Sequence, residues 1–349
     1  MDELLATGAP WPGAVAVSGG GDSVALMHLL AGWAKKTRRP PPHVVTVDHG
    51  LRAESATDAR AVRRWAKAAG LKSQALRWSG PHPKSDIEAV AREARYRLMG
   101  EWARKNKFAA LYVAHTRDDQ AETFLLRLMR GSGLDGLAAM RAIAAYPLAS
   151  FGELQVVRPL LSLEREQVRA HLKSAGFEWL EDSMNADERF ARVRLRKAWN
   201  ALEEAGLSKQ RLASAASHLA RAREALDEVT QAVLTRSCRR YENGLQFDPA
   251  ALTSAPREIG LRALARMLMI VSGHAYRPRF ERLERLFDRI ATGDIGGGAT
   301  LHSCRLFIVP KKDAAFGSET LAIVPEIVPQ ARKGSKSRRN TQISPVTAR

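Results

Sequence analysis

A chain of 349 residues exceeds the usual size of a single hydrophobic core, so one large domain with one or two smaller ones is expected. Apolar residues at 45% and charged residues at 26% exclude wholesale disorder. With 55 Lys and Arg against 37 Asp and Glu, the net charge of +18 creates a field that attracts polyanions, and nucleic acid is the first partner expected.

The two cysteines, Cys238 and Cys304, form none of the paired spacings of zinc or redox motifs and read as reduced thiols. Asp2 and Glu3 stand where basic residues would precede a signal sequence, and no run approaches the roughly 20 apolar residues that cross a bilayer. A cytoplasmic protein with no membrane role is expected.

In chain order, short apolar runs at Ala14–Val17, Val44–Val47, Gln74–Trp78 and Ala110–Ala114 predict strands. Helical patterns at Ser23–Lys35, Ser55–Ala69, Asp86–Lys105 and Asp119–Met129 alternate with them, which predicts a doubly wound α/β fold around a parallel sheet. A strand at Leu154–Val157 and a helix over Leu163–Ala175 follow. Leu212, Ala216, Leu219, Ala222, Leu226, Val229 and Val233 then recur at three- and four-residue steps, the mark of one long amphipathic helix. Further helices are predicted over Arg257–Val271 and Arg279–Ile290, and a hairpin over Thr300–Pro310. The organisation expected is a catalytic domain at 1–200, a mainly helical RNA-binding domain at 201–295, a small β-containing piece at 296–330 and a disordered basic tail at 331–349.

Chemistry concentrates in Ser18-Gly19-Gly20-Gly21-Asp22-Ser23, set between a strand and a helix. Glycines let the backbone approach an anion, and the amides at the start of the helix face it. Ser18 and Ser23 can donate hydroxyl hydrogen bonds to phosphate, whereas Asp22 suits a magnesium ion that binds phosphate in turn. A bare glycine-rich connection is the bland alternative, and the flanking elements with two serines and an aspartate argue against it. The lysine of a Walker loop and the acidic residue of a dinucleotide fingerprint are both missing, which disfavours kinase and dehydrogenase chemistry.

This loop resembles the SGGxDS signature of the PP-loop, or N-type, ATP pyrophosphatases. Three more segments resemble one family of that class, the tRNA(Ile)-lysidine synthetases. They are Val47-Asp48-His49-Gly50-Leu51-Arg52, the run from Glu88 to Tyr96 that contains Arg92 and Arg95, and the run from Ala114 to Leu137 that contains His115, Asp118, Asp119, Glu122 and Arg130. A downstream segment, Trp179 to Asp187 with Asn185 and then Phe190, Arg192, Arg194 and Arg196, resembles the family's second landmark. Thr116 and Ser183-Met184 depart from the usual pattern.

The resemblance implies that ATP transfers AMP to the C2 oxygen of the wobble cytidine of an isoleucine tRNA with anticodon CAU, and that free L-lysine then displaces AMP. It implies an ATP site at Ser18, Gly19, Gly20, Gly21, Asp22, Ser23 and His115, with magnesium at Asp22. It also implies a lysine and catalytic set at Asp118, Asp119 and Glu122, and tRNA contacts at Arg92, Arg95, Arg130, Asn185, Arg192 and Arg196. Carboxylates suit the ammonium groups of lysine, unless one of the three binds magnesium. The same carboxylates could serve only the helix dipole, His115 could cap the helix instead of meeting phosphate, and Arg95 could pair with Glu88 or Glu93. Two rival readings are a thiolating PP-loop enzyme acting on tRNA and a non-catalytic RNA-binding protein.

Overall fold

The computed structural model describes residues 1–50, 54–80, 87–181, 191–274, 276–316 and 319–326. These divide into two compact units, Met1–Ala225 and Leu226–Arg349. The expected basic tail at 331–349 lies outside the described residues. Among the described residues no helix is long and apolar enough to cross a membrane.

The first unit runs α1 (Asp2–Ala6), β1 (Ala14–Ala16), α2 (Gly21–Lys36), β2 (His43–Asp48), α3 (Ser55–Ala68), β3 (Ser73–Arg77), α4 (Ile87–Lys105), β4 (Ala110–Tyr112) and α5 (Arg117–Leu128). It continues with α6 (Leu134–Leu137), β5 (Ile143–Ala145), β6 (Gln155–Val157), α7 (Arg165–Ser174), α8 (Ala191–Lys197), α9 (Trp199–Glu204) and α10 (Lys209–Ser237), within which the division falls. The sheet order is β3-β2-β1-β4-β6-β5, parallel throughout except that β5 joins the edge antiparallel to β6. The doubly wound α/β layout expected from the alternation of runs is therefore present, and β5 is the strand that the sequence did not reveal. Three residues without a long apolar run leave no period to detect.

Burial explains why the central strands read as unbroken apolar runs. Val15, Leu111 and Tyr112 are fully buried, because helices cover both faces of a parallel sheet. One face packs Val24, Met27 and Leu30 of α2 and Leu172 of α7, and the other packs Tyr96 and Met99 of α4 with Tyr146 and Phe151. The helices α2 and α7 are further joined where the His28 ring stacks on Phe177, with centroids 3.6 Å apart. The order of the strands matters more for function. The chain winds outward from β1 through β2 to β3, then returns to β4 on the other side of β1, so the segments leaving β1 and β4 diverge at a topological switch point.

In the second unit β7 (Cys238–Tyr241), β8 (Gly244–Phe247), β9 (Ala299–Leu301), β10 (Cys304–Ile308) and β11 (Leu321–Pro325) form an antiparallel sheet in the order β7-β8-β11-β10-β9. Packed on it are α11 (Pro249–Thr253), α12 (Arg257–Ser272) and α13 (Phe280–Ala291), with Leu264, Met267, Phe287, Leu306 and Ile323 in a shared core. The expected hairpin is β9–β10, turned at His302-Ser303 with φ of 59° and 57°. Its extension into five strands was not expected. The β7–β8 pair escapes a periodicity search because four-residue strands directly follow a 29-residue helix.

Leu172 sits on the α7 face that meets α2 and is fully buried. Leu172→Ala should destabilise the first unit by about 2–5 kcal/mol, the cost of a cavity at a site unable to collapse. Urea unfolding of the full chain, followed by far-UV circular dichroism, measures this, and an unchanged midpoint would show that α7 is not held by that core.

Candidate active site

The phosphate loop is built by its own side chains. Gly20 adopts an extended conformation and α2 starts at Gly21, so the amides of the first helical turn open towards the end of β1. The Ser23 hydroxyl donates to the Gly20 carbonyl at 2.8 Å and accepts from the Ser18 amide at 3.1 Å, with the Ser18 hydroxyl 3.2 Å away. Ser23 is thereby engaged in shaping the loop. Gly19 has φ +97°, and a Cβ there would lie 2.6 Å from the Leu180 side chain. The Leu180 amide donates to the Gly19 carbonyl at 2.9 Å, and Trp179 lies against Gly21, so a segment remote in sequence clamps the loop.

At the start of α5, the Asp119 carboxylate accepts from the Thr116 amide at 2.8 Å and the Thr116 hydroxyl at 2.9 Å. Thr116 is thus the cap of this helix, and Asp119 completes the capping box. Asp118, Asp119 and Glu122 are nevertheless buried, at 6%, 7% and 2% exposure. Buried carboxylates need partners, and the loss of hydration exceeds anything a helix dipole returns. The partners come from α7, α8 and α10.

Arg165, the first residue of α7, reaches Asp22 at 2.9 Å through Nε, Asp119 at 2.9 Å through Nη2 and Glu122 at 3.5 Å through Nη1. Its amide also donates to Asp118 at 2.8 Å. Arg196 holds Glu122 at 2.7 and 3.2 Å, and Lys209 meets Asp118 at 2.9 Å. Arg169 stands 4.0 Å from Asp22. Burial opposes ionisation of Asp118 and Asp119, yet the Arg165 amide and Lys209 hold Asp118 below its ordinary range, and the Arg165 guanidinium does so for Asp119. For Asp22 burial prevails over Arg165 and pushes the carboxyl up. Burial also opposes the charge on Arg165, but Asp119, Asp22 and Glu122 raise its pKa.

A cleft of about 560 Å³ opens beside this network, lined by Asp118, Glu122, Arg165, Arg169, Arg196 and Lys209 among others. It carries both signs of charge. His115 is half-buried beside Asp119, and its pKa falls to about 4, first through desolvation and then through Arg158, Arg92 and Arg192, so the ring is neutral at neutral pH. Its Nδ1 has no hydrogen-bond partner among the described residues. Arg92 also lies over the Tyr96 ring at 5.0 Å.

The residues expected from the sequence therefore separate into three groups. Asp22, Asp118, Asp119, Glu122 and Arg196 meet in one network, while Arg92 and Arg192 gather about His115. Arg95 is exposed beside Tyr146, and Arg130 is exposed beyond the carboxyl end of α5. Asn185, Leu51 and Arg52 lie outside the described residues. Of the loop after β2, Asp48 accepts from the Gly50 amide at 3.1 Å and from the Ser55 hydroxyl, tying the strand end to α3. Arg165, Arg169, Arg158 and Lys209 were not singled out from the sequence. The available signal was an arginine opening a helix just past the carboxyl end of β6, where ligands of such sheets collect.

The PP-loop domain family matches residues 9–202, more than half of the chain. A tRNA(Ile)-lysidine synthase of Methylobacterium nodulans is 42% identical over 314 residues, covering 86% of this chain and 90% of that protein. The chain belongs to the tRNA(Ile)-lysidine synthase family. Family members of the same name from Bradyrhizobium sp. and Wolbachia pipientis are 41% and 38% identical, covering 81% and 84% of this chain. The chain spans 81% of the first and 67%, about two thirds, of the second. The matched PP-loop domain contains the Ser18–Ser23 segment at the end of β1.

The clamp on that loop can be tested directly. Gly19→Ala forces a side chain into a left-handed conformation against Leu180 and should weaken ATP binding roughly tenfold, the scale of such backbone strain. Calorimetric titration with ATP measures it, and unaltered affinity in a folded variant would show that the loop shape is not required.

Proposed function

We propose that this chain is a ligase that forms a carbon–nitrogen bond, converting the wobble cytidine of an isoleucine tRNA with anticodon CAU to lysidine with consumption of ATP and free L-lysine. The observation that carries this reading is the cleft of mixed charge beside the phosphate loop, lined by Asp118, Glu122, Arg196 and Lys209. A basic amino acid offers ammonium groups and one carboxylate, and this cleft supplies partners for both. Basic charge alone would serve any RNA-binding protein, but carboxylates set among cations in one cleft suit a ligand that carries both signs of charge.

In the first step the cytidine C2 oxygen attacks the α-phosphorus of ATP, the bond to the β-phosphate oxygen breaks, and pyrophosphate leaves. The amides of the Ser18–Ser23 turn face the leaving group, and the field of Arg92, Arg158 and Arg192 lies beside the neutral His115, suited to the charge on the transferring phosphate. Asp22 fits magnesium, since its Oδ1 is buried without a hydrogen-bond partner among the described residues. The ion, when bound, would neutralise the phosphates. In the second step the lysine amine, having lost its proton, attacks C2, and the bond from C2 to the AMP oxygen breaks. Asp118 and Asp119, held below the usual carboxylate range, stay ionised and anchor cations in preference to accepting protons.

Thiolation is disfavoured by the cysteines themselves. Burial pushes both Cys238 and Cys304 up to about 11, so neither is a ready thiolate, and both lie in the second unit.

Incubation of the full chain with ATP, L-lysine and the CAU isoleucine tRNA, followed by mass spectrometry of the nucleosides, should reveal lysidine. Thiolated cytidine, or no new nucleoside, would contradict the reading. In single turnover with labelled ATP, Asp22→Asn should slow AMP transfer at least about 100-fold, as expected on removing an electrostatic contact to developing charge. A folded variant that adenylates at the normal rate would deny Asp22 that role.

A further inference from the structure

Most of the ion pairs in the cleft have a partner that could be lost without emptying it. Glu122 is held at 2.7 and 3.2 Å by Arg196, and Asp118 by Lys209 at 2.9 Å. Arg165 differs, because its side chain bridges carboxylates from two separate helices, Asp22 on α2 and Asp119 with Glu122 on α5. Its main chain is fixed independently, through the amide that donates to Asp118 at 2.8 Å. The guanidinium can therefore leave while the start of α7 stays in place. Its contact with Glu122, at 3.5 Å, is already the loosest of the three.

We propose that Arg165 is a resident stand-in for the ammonium group of the amino-acid substrate, filling the seat beside Asp119 and Glu122 until that substrate displaces it. The inference rests on the reading of the cleft given above. Glu122 and Arg165 both line the cleft, so a cation that enters it meets a carboxylate that the guanidinium already holds. A tethered cation compensates the buried Asp119 and Glu122 while no substrate occupies the seat. It also imposes a threshold, since small cations must compete with three ion pairs and only a ligand with further contacts in the cleft can displace the arginine. Arginine suits this task better than lysine, because its planar fork spans several carboxylates at once.

The proposal and a permanent scaffolding role for Arg165 differ in sign. If the guanidinium competes for the seat, Arg165→Met should bind L-lysine more tightly than the wild type, by about tenfold, the scale of one charge-assisted hydrogen bond. Arg165→Lys, which returns an ammonium to the seat, should restore the weaker binding. A scaffold, or a residue that grips the substrate carboxylate, would instead make Arg165→Met the weaker binder, with Arg165→Lys between. Equilibrium dialysis of the full chain with labelled L-lysine gives the affinities, and the KM for lysine in lysidine formation should fall in the same order. Arg165→Gln provides a second neutral variant for the same comparison. On the wild-type protein, nitrogen-15 spectra of the arginine side chains, assigned with Arg165→Lys, should show the Arg165 Nε–H signal move as L-lysine is added. Weaker or unchanged binding in the neutral variants, or an Nε–H signal indifferent to lysine, would overturn the proposal. Failure of the wild type itself to form lysidine would defeat the functional reading instead, which separates the two outcomes.

Discussion

Four carboxylates drawn together at one end of a parallel sheet are an electrostatic liability that the rest of the first unit has to answer. Asp118, Asp119 and Glu122 are nearly inaccessible to water, and Asp22 is largely covered, so each requires a cation or a backbone donor at close range. Arg165 touches all four, three through its guanidinium and one through its amide. That single residue ties α2, which carries the phosphate loop, to α5, which carries the acidic set. Its removal would leave buried charge without compensation at both halves of the site. The core beneath α7 is thus part of the active site's construction, because Leu172 and the stacked pair of His28 and Phe177 hold the helix from which Arg165 extends.

The strand order explains why these groups meet at all. With β1 and β4 adjacent and their outgoing segments diverging, the turn at Ser18–Gly20 and the start of α5 flank one crevice, while β6 beside β4 delivers α7 to the same end. The Ser18–Ser23 loop and the cleft of mixed charge are consequently neighbours joined by one ion-pair network. The arrangement suits a two-step reaction in which an adenylated base must not drift away before an amine arrives. Basic side chains around His115 form a second, positive field beside the Asp119 carboxylate.

The phosphate loop was legible in the sequence because its chemistry is local, with glycines, serines and an aspartate set between a strand and a helix. Asp118, Asp119 and Glu122 were legible for the same reason, being spaced on one helix after a strand end. Arg165, Arg169 and Lys209 were not, because their partners lie 43 or more positions away in the chain and nothing in their own surroundings distinguishes them from solvated arginines and lysines. Burial is the missing quantity. It turns His115 from an ordinary imidazole into a neutral ring, and it makes Thr116, a departure from the usual family pattern, the working cap of α5. In the second unit α12 and α13 were legible from their period, whereas β8 and β11 pair across a long stretch of sequence and the β7–β8 hairpin is too short to show a period.

The cleft of mixed charge is, on the function proposed, the seat of the amino-acid substrate. A crystal structure of the full chain with L-lysine bound tests it most directly. The account predicts a lysine ammonium within hydrogen-bond distance of Asp119 and Glu122, with the Arg165 guanidinium withdrawn from both and the lysine carboxylate on the cations of the cleft. Lysine bound elsewhere, with Arg165 still bridging the same carboxylates, would contradict it.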